Sequence, residues 1–168
     1  SEMCIRDSDC GPAFDNVSPT TQKLLHRWIR SGVIGVLWLA IPCTLDSVAN
    51  NSSAKDPAKQ ASFSQLLAAC AVLIRVARKY GCYVVVENPR GSKLWTRTGF
   101  ARCMRGMPFV DYDCCTHGAS YRKHQRLCGD LPHLSQLASQ CSCGLPHEHL
   151  SGKVKIPVDE FGQPVSPI

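Results

Sequence analysis

Two segments of the chain repeat their apolar residues at the spacing of one face of an amphipathic helix. The first helix is predicted from Ser18, an N-cap residue followed by proline, to Gly32. The second is predicted from Asp56, which is also followed by proline, to Gly81. The residues expected to face the interior are Leu24, Leu25, Trp28 and Ile29 in the first helix, and Leu66, Leu67, Cys70, Leu73, Ile74 and Ala77 in the second.

Two further segments, residues 33–40 and 82–86, are apolar without alternation, which is typical of strands buried on both faces of a sheet. A long helix between two strands allows them to pair in parallel. Another helix is predicted over residues 93–104, and shorter, more polar strands over residues 107–115 and 121–129. The order of these elements predicts an α/β fold with a mostly parallel sheet and helices on both of its faces.

The composition is that of an ordinary globular domain, with 168 residues of which 44% are hydrophobic and 19% charged. No apolar run approaches the length of a membrane span, so no membrane partner is expected. The net charge of +6 is compatible with a polyanionic partner. Two of the 11 cysteines, Cys70 and Cys82, lie within apolar segments and are expected to be free thiols. These features favour an intracellular protein, nuclear or cytoplasmic.

Reactive residue types follow the ends of the predicted strands. Cys43 follows the first apolar strand, Glu87 follows the second, and Arg122 and Arg126 lie in a basic run further along the chain. Because ligands bind at the carboxyl ends of parallel strands, these residues are expected to meet in one cleft. They would supply a nucleophile, a proton donor and a clamp for an anion or a carbonyl group. The alternatives are a buried thiol, a strand end that caps the next helix, and a solvated basic face.

The sequences PCT, ENP and RKHQR, in this order, resemble the motifs of the cytosine-5 DNA methyltransferases. The resemblance is closer to divergent relatives from protists and phages, which carry Glu-Asn-Pro and an Arg-Lys-x-x-Arg run. It extends over about residues 15–152. It implies a Rossmann-like methyltransferase fold of three layers, S-adenosylmethionine as cofactor, and DNA rather than RNA as partner.

The resemblance also implies a role for each matching residue. Cys43 would add as a thiolate to carbon 6 of cytosine, and Glu87 would protonate or hydrogen-bond the ring nitrogen beside the exocyclic amine. Arg126, with Arg122 from the same run, would hold the carbonyl oxygen of the base. The target base would have to leave its stack to reach these residues.

The resemblance further predicts that the enzyme domain in this chain is incomplete. Residues 1–8, SEMCIRDS, are similar to the translation of a sequencing adapter, and residues 9–152 are predicted to form the methyltransferase-like domain. Residues 153–168, which are rich in proline and glycine, are predicted to be an irregular tail. Asp15 and Pro42 are assigned by resemblance to the cofactor site, whose glycine-rich loop is expected upstream; the alternative for Asp15 is an ordinary loop position.

Two positions, Asp46 and His124, depart from the family pattern. The family usually has an aromatic residue and then serine shortly after the cysteine, where this chain has Asp46 and Ser47, and His124 stands where an arginine-type residue is expected. A carboxylate at Asp46 would disfavour the thiolate of Cys43. These departures leave open a catalytically inactive relative that binds nucleic acid as part of a mobile-element protein.

The segment CSCGLPHEHL combines thiols with imidazoles. Cys141, Cys143, His147 and His149 are candidate ligands of a tetrahedral zinc ion. A single residue separates the two cysteines, and a single residue the two histidines, which is closer than in most zinc sites. Packing without a metal is the alternative, and a zinc-stabilised interaction module, in which Cys43 has no chemistry, is a third candidate function.

Overall fold

The computed structural model describes residues 2–4, 17–43, 56–144 and 146–148. Its α-helices in this part of the chain are α1 (Pro19–Arg30), α2 (Pro57–Lys79) and α3 (Thr98–Cys103). Its strands are β1 (Glu2–Cys4), β2 (Val36–Ala40), β3 (Tyr83–Pro89), β4 (Phe109–Asp113) and β5 (His124–Gly129). Short 3-10 helices lie at Lys93–Thr96, Cys114–His117 and Leu134–Leu137.

The two long helices begin and end where the sequence predicts. Ser18 caps α1 through its hydroxyl, which accepts the N–H of Thr21 at 3.1 Å. Asp56 caps α2 through Oδ1, which accepts the N–H of Ala58 at 3.0 Å. Gly32 follows α1 with a φ of 72°, a left-handed conformation that glycine adopts without a steric penalty. All six α2 residues that were expected to face the interior are buried.

Among the described residues, α2 is the one helix long and apolar enough, by length and composition, to cross a membrane. The expectation that no apolar run approaches such a span is therefore wrong. Eight of its 23 residues are buried, and the helix packs against α1, α3 and the two central strands. This packing accounts for its apolar character, as in the core helix of a globular domain.

The five strands form one sheet in the order β1-β2-β3-β5-β4. The predicted parallel pairing of β2 with β3 is confirmed, and Ala40 lies opposite Glu87. The prediction of a mostly parallel sheet is wrong, because β5 runs antiparallel to both β3 and β4. The connection from β4 to β5 contains only a 3-10 helix, whereas a parallel return would need a longer crossover. The short β1 pairs in parallel with β2 and lies within residues 1–8, whose adapter origin stays a prediction.

The helices in the described part of the chain cover one face of the sheet. That face and α1, α2 and α3 share the main core, which includes Leu37, Val84 and Val86. A smaller cluster on the other face joins Val85 and Leu127 to residues of β4 and of the last 3-10 helix. The predicted third layer of helices is therefore wrong for these residues. Consequently β2 alternates between buried and half-exposed positions instead of being buried on both faces.

The helix predicted over residues 93–104 is divided in two. Lys93–Thr96 is a 3-10 helix capped by Ser92, and α3 follows after Arg97, whose backbone is extended. The indole N–H of Trp95 donates to the carbonyl oxygen of Pro89 at 2.8 Å. This hydrogen bond holds the 3-10 helix against the end of β3.

Candidate active site

Cys43 and Glu87 lie at the adjacent ends of two parallel strands, as the sequence predicts. The register places Ala40 opposite Glu87, and Cys43 follows Ala40 by three residues. The thiol of Cys43 is free and half-buried. A nucleophile and a carboxylate therefore come from neighbouring strand ends, where α/β folds place their ligands.

Asn88 fastens the segment that carries Cys43 to β3. Its Nδ2 donates to the carbonyl oxygen of Ile41 at 2.6 Å, and its side chain is on the helix-covered face with only 2% of its surface exposed. This bond satisfies a backbone acceptor in the last residues before the Pro42–Cys43 step, where the strand pairing has ended. The sequence pattern identified Asn88 only as the middle residue of ENP and missed this positioning role.

Glu87 points to the other face of the sheet, where two side chains donate to its carboxylate. Trp38 Nε1 donates to Oε2 at 3.3 Å, and Gln125 Nε2 donates to Oε1 at 3.0 Å. Tyr112 shares this environment, and its pKa is raised by burial and then by the charge of Glu87. Gln125 is a site residue that sequence reasoning missed, because the sequence does not reveal the register of β5 that places it beside Glu87.

Arg126 is not brought to Glu87. The register places Arg126 opposite Asn88, so its side chain projects from the face opposite to that of Glu87. There Nε and Nη2 donate to the two carboxylate oxygens of Asp111 at 2.6 and 2.8 Å. The expected convergence of Cys43, Glu87 and Arg126 is thus not what the structure shows. Hydrogen bonding to Arg126 is the main cause that lowers the pKa of Asp111.

Arg122 and His124 are also paired with an acidic residue. Both donate to Asp113, Arg122 through Nε at 3.2 Å and His124 through Nδ1. The carboxyl group of Asp113 is 2% exposed and also accepts the backbone N–H of Cys141 at 2.8 Å. Burial raises the pKa of Asp113, but the bond from Cys141 and the charges of His124 and Arg122 outweigh burial and lower it. Arg122 and His124 are therefore paired side chains, and do not form an unpaired solvated face.

Two buried amide oxygens near this edge have no hydrogen-bond partner within the described ranges. They are Oδ1 of Asn88 and Oε1 of Gln125. The Nε2–Glu87 bond fixes the orientation of the Gln125 amide, because a flipped amide would place two oxygens together. The amide oxygen of Gln125 is thus a buried acceptor beside the Glu87 carboxylate, without a partner among the described residues.

Of the two residues assigned to the cofactor site, Asp15 lies outside the described ranges and Pro42 is exposed. Asp46 and Ser47, which follow Cys43, also lie outside these ranges. One exposed proline does not by itself form a binding site for S-adenosylmethionine, so the cofactor site stays a prediction.

The thiol and imidazole cluster is brought together in part. The side chains of Cys141, Cys143 and His147 contact one another, and Cys115 joins them from the end of β4. His149 lies outside the described residues. Sequence reasoning missed Cys115, because it is distant from the other three along the chain.

Comparison with known proteins does not assign the chain to a family. No family model matches the chain, and no curated protein matches it either.

Proposed function

We propose that this chain carries the nucleophile of a Rossmann-like cytosine-5 methyltransferase that acts on nucleic acid, with DNA as its substrate. One observation carries the proposal: Cys43 and Glu87 lie at the ends of adjacent parallel strands, which the Asn88 side chain ties together. The unit from β2 through α2 to β3 supports the finer fold, because it is a parallel strand pair with a helical crossover. A cysteine and a carboxyl group at one sheet edge can act on the same small ring.

The chemistry of these two residues accounts for the reaction. The Cys43 thiolate would add to carbon 6 of cytosine, so that a C–S bond forms and the C5–C6 π electrons move to carbon 5. The negative charge spreads from carbon 5 to the adjoining ring nitrogen, where Glu87 would deliver a proton and neutralise it. S-adenosylmethionine, when bound, supplies the electrophilic methyl group for carbon 5. Water then takes the proton from carbon 5, the C5–C6 double bond re-forms as the C–S bond breaks and the Cys43 thiolate leaves, and the ring nitrogen returns its proton to Glu87.

Gln125, rather than Arg126, is the residue of the basic run that we assign to base binding. It lies on the same sheet face as Glu87 and contacts it, whereas Arg126 is paired with Asp111 on the other face. Through Nε2, Gln125 would hold the Glu87 carboxyl group in place against the ring nitrogen of cytosine.

Hydrogen exchange at carbon 5 tests the nucleophile without any methyl donor. Addition of a thiolate to carbon 6 lets carbon 5 take a deuteron from D₂O, and reversal of the addition leaves deuterium on the base. We expect the chain to catalyse this exchange in a DNA oligonucleotide, measured by mass spectrometry. Cys43→Ser should abolish exchange, and Glu87→Gln should slow it by about 10²–10⁴-fold. Cys114→Ser, at another half-buried thiol, is the matched control and should retain it.

A second measurement separates catalysis from binding alone. Absence of exchange in both DNA and RNA, from folded protein that still binds the oligonucleotide, would replace the proposal with a catalytically inactive binding domain. The pairing of Arg126 with Asp111 is the observation that favours this alternative. If exchange occurs, a 5-fluorocytosine oligonucleotide with S-adenosylmethionine should trap the Cys43 adduct, because fluorine blocks the final elimination.

A further inference from the structure

We propose that Cys115, Cys141, Cys143 and His147 bind one structural zinc ion that fastens the segment 139–148 to the end of β4. This site differs from the set that the sequence suggests, because Cys115 takes the place of His149. It does not depend on the proposed methyl transfer.

The donor atoms of three of these residues lie close to the separations that a shared metal requires. Sγ of Cys141 is 3.3 Å from Sγ of Cys143, and Nε2 of His147 is 3.5 Å from each of these sulfurs. Sγ of Cys115 lies within 4.8 Å of the donor atoms of Cys141 and His147. Ligands at the usual zinc distances of about 2.0–2.3 Å in a tetrahedron are about 3.5–3.8 Å apart. The two sulfur–nitrogen separations have this size, the Sγ–Sγ separation of 3.3 Å is slightly shorter, and Cys115 lies beside Cys141 and His147.

The backbone positions these ligands independently of any metal. Ser139 forms a parallel bridge with Tyr112, and the N–H of Cys141 donates to the buried carboxylate of Asp113. On the far side of the cluster, the N–H of Glu148 donates to the carbonyl oxygen of Ser120 at 3.1 Å. The segment is thus attached at both ends to β4 and the turn that follows it. Between the two attachments the three ligands of the segment meet Cys115, which lies in the 3-10 helix after β4.

A metal explains this cluster better than a disulfide does. A Cys141–Cys143 bond would bring the sulfurs to about 2.05 Å and would leave His147 and Cys115 without a role. Three half-buried donors lie together, and the exposed Cys143 contacts two of them, which suits a closed zinc site with three thiolates and one imidazole. The segment has little regular secondary structure of its own, so a cross-link of this kind contributes directly to its order.

Metal content and cobalt spectroscopy test the proposal on the whole chain. The reduced protein should contain one zinc ion per chain by elemental mass spectrometry. With Co²⁺ in place of zinc, the protein should show the visible bands of a tetrahedral site and thiolate-to-cobalt charge transfer of a three-thiolate set. This spectrum is read on the unmutated protein, so it does not depend on the folding of any variant.

Matched variants decide which residues are the ligands. Cys115→Ser and His147→Ala should each weaken zinc binding by at least about tenfold, whereas Cys114→Ser and His149→Ala should leave it unchanged. Loss of zinc in His149→Ala with full retention in Cys115→Ser would overturn the proposed set. Absence of stoichiometric metal, or a Cys141–Cys143 disulfide in the freshly purified protein, would overturn the site altogether.

Discussion

At the scale of single residues, burial separates the thiols that can react from those that cannot. Cys128 has no exposed surface, and burial raises its pKa to about 11, so its thiolate is scarce near neutral pH. Cys70, Cys82 and Cys103 are also buried, whereas Cys43 is half-buried at a strand end. Since only the thiolate is a good nucleophile, position in the sheet decides which cysteine has chemistry available to it.

Alkylation of the native protein should follow this division. Iodoacetamide at neutral pH should modify Cys43 and should leave Cys128 unmodified until the protein is unfolded. Peptide mass spectrometry after short exposure measures the extent at each thiol, and urea-unfolded protein provides the control in which all thiols react. Equal labelling of Cys128 and Cys43 in the native state would contradict the burial that the structure assigns to Cys128.

Asn88 offers a second prediction at this scale. Asn88→Ala removes the donor to the Ile41 carbonyl oxygen and leaves a buried acceptor unpaired, which costs about 1–3 kcal/mol of unfolding free energy. The Pro42–Cys43 step would also lose its attachment to β3, so Cys43 should be alkylated faster. Urea unfolding and alkylation rates measure the two effects. Ser62→Ala, which removes an exposed hydrogen bond in α2, is the control and should change neither.

At the scale of elements, the contact between β3 and β5 has no room for an added side chain at Gly129. A Cβ there would collide with the carbonyl oxygen of Val84 and lie 3.1 Å from the Cα of Val85. Both are backbone atoms of a central strand, so the collision cannot be relieved by a side-chain rotation. Gly129→Ala should therefore lower the unfolding free energy by about 1–3 kcal/mol. Gly91→Ala, where the added Cβ meets nothing within 4 Å, should have little effect.

The same pair of strands shows what the sequence could and could not predict. Helices α1 and α2 and the strands β2 and β3 have local signals, namely caps, left-handed glycines and apolar periodicity, and these were predicted closely. The role of the basic run depended on the register of β5, and neighbouring residues of a strand project from opposite faces. The register places Gln125, and not Arg126, beside Glu87. The segment RKHQR is polar at every position. It therefore does not indicate whether Gln125 or Arg126 lies on the face of Glu87.

Long-range proximity was equally out of reach of the sequence. Three of the proposed zinc ligands are close together in the chain and could be predicted from it, namely Cys141, Cys143 and His147. Cys115 joins them only because the segment after Ser139 returns along β4. An irregular segment that folds back along a strand has no hydrophobic periodicity by which its contacts could be predicted. The elements that form the parallel pair β2 and β3 do have such a pattern in the sequence.

At the scale of the whole molecule, the sheet has one helix-covered face and one face that carries Glu87 and Gln125. Asp111 and Asp113 of β4 pair with arginines of the basic run on the helix-covered face. The face that carries Glu87 and Gln125 is the one that we propose for the substrate. The Asp111 carboxylate forms ion pairs with both Arg126 and Arg90. It therefore joins β4 to β5 and to the residue that follows β3. The stability of the domain should consequently depend on the ionisation of Asp111.

The pH dependence of unfolding tests this role. The pKa of Asp111 is lowered from its ordinary value of 3.8, chiefly by the hydrogen bond from Arg126 and against the effect of burial. A carboxyl group with a lowered pKa in the folded state stabilises the protein above its unfolded-state pKa. That stabilisation is lost as the pH falls below 3.8 and through the folded-state value. Asp111→Asn should therefore lower the unfolding free energy by about 1–2 kcal/mol at neutral pH, and the difference from the unmutated protein should shrink in acid.

The control for this experiment is an acidic residue whose ion pair is exposed. Asp56 pairs with Lys59 at 3.7 Å with both side chains largely in solvent, and asparagine at that position would still cap α2. Asp56→Asn should change the unfolding free energy by less than about 0.5 kcal/mol at any pH. Equal pH profiles for the two variants would show that the Asp111 network contributes no more than a surface pair. A flatter dependence of the unfolding free energy on pH for Asp111→Asn than for Asp56→Asn would place acid sensitivity at the junction of β4 and β5, because the Asp111 carboxylate pairs both with Arg126 in β5 and with Arg90 after β3.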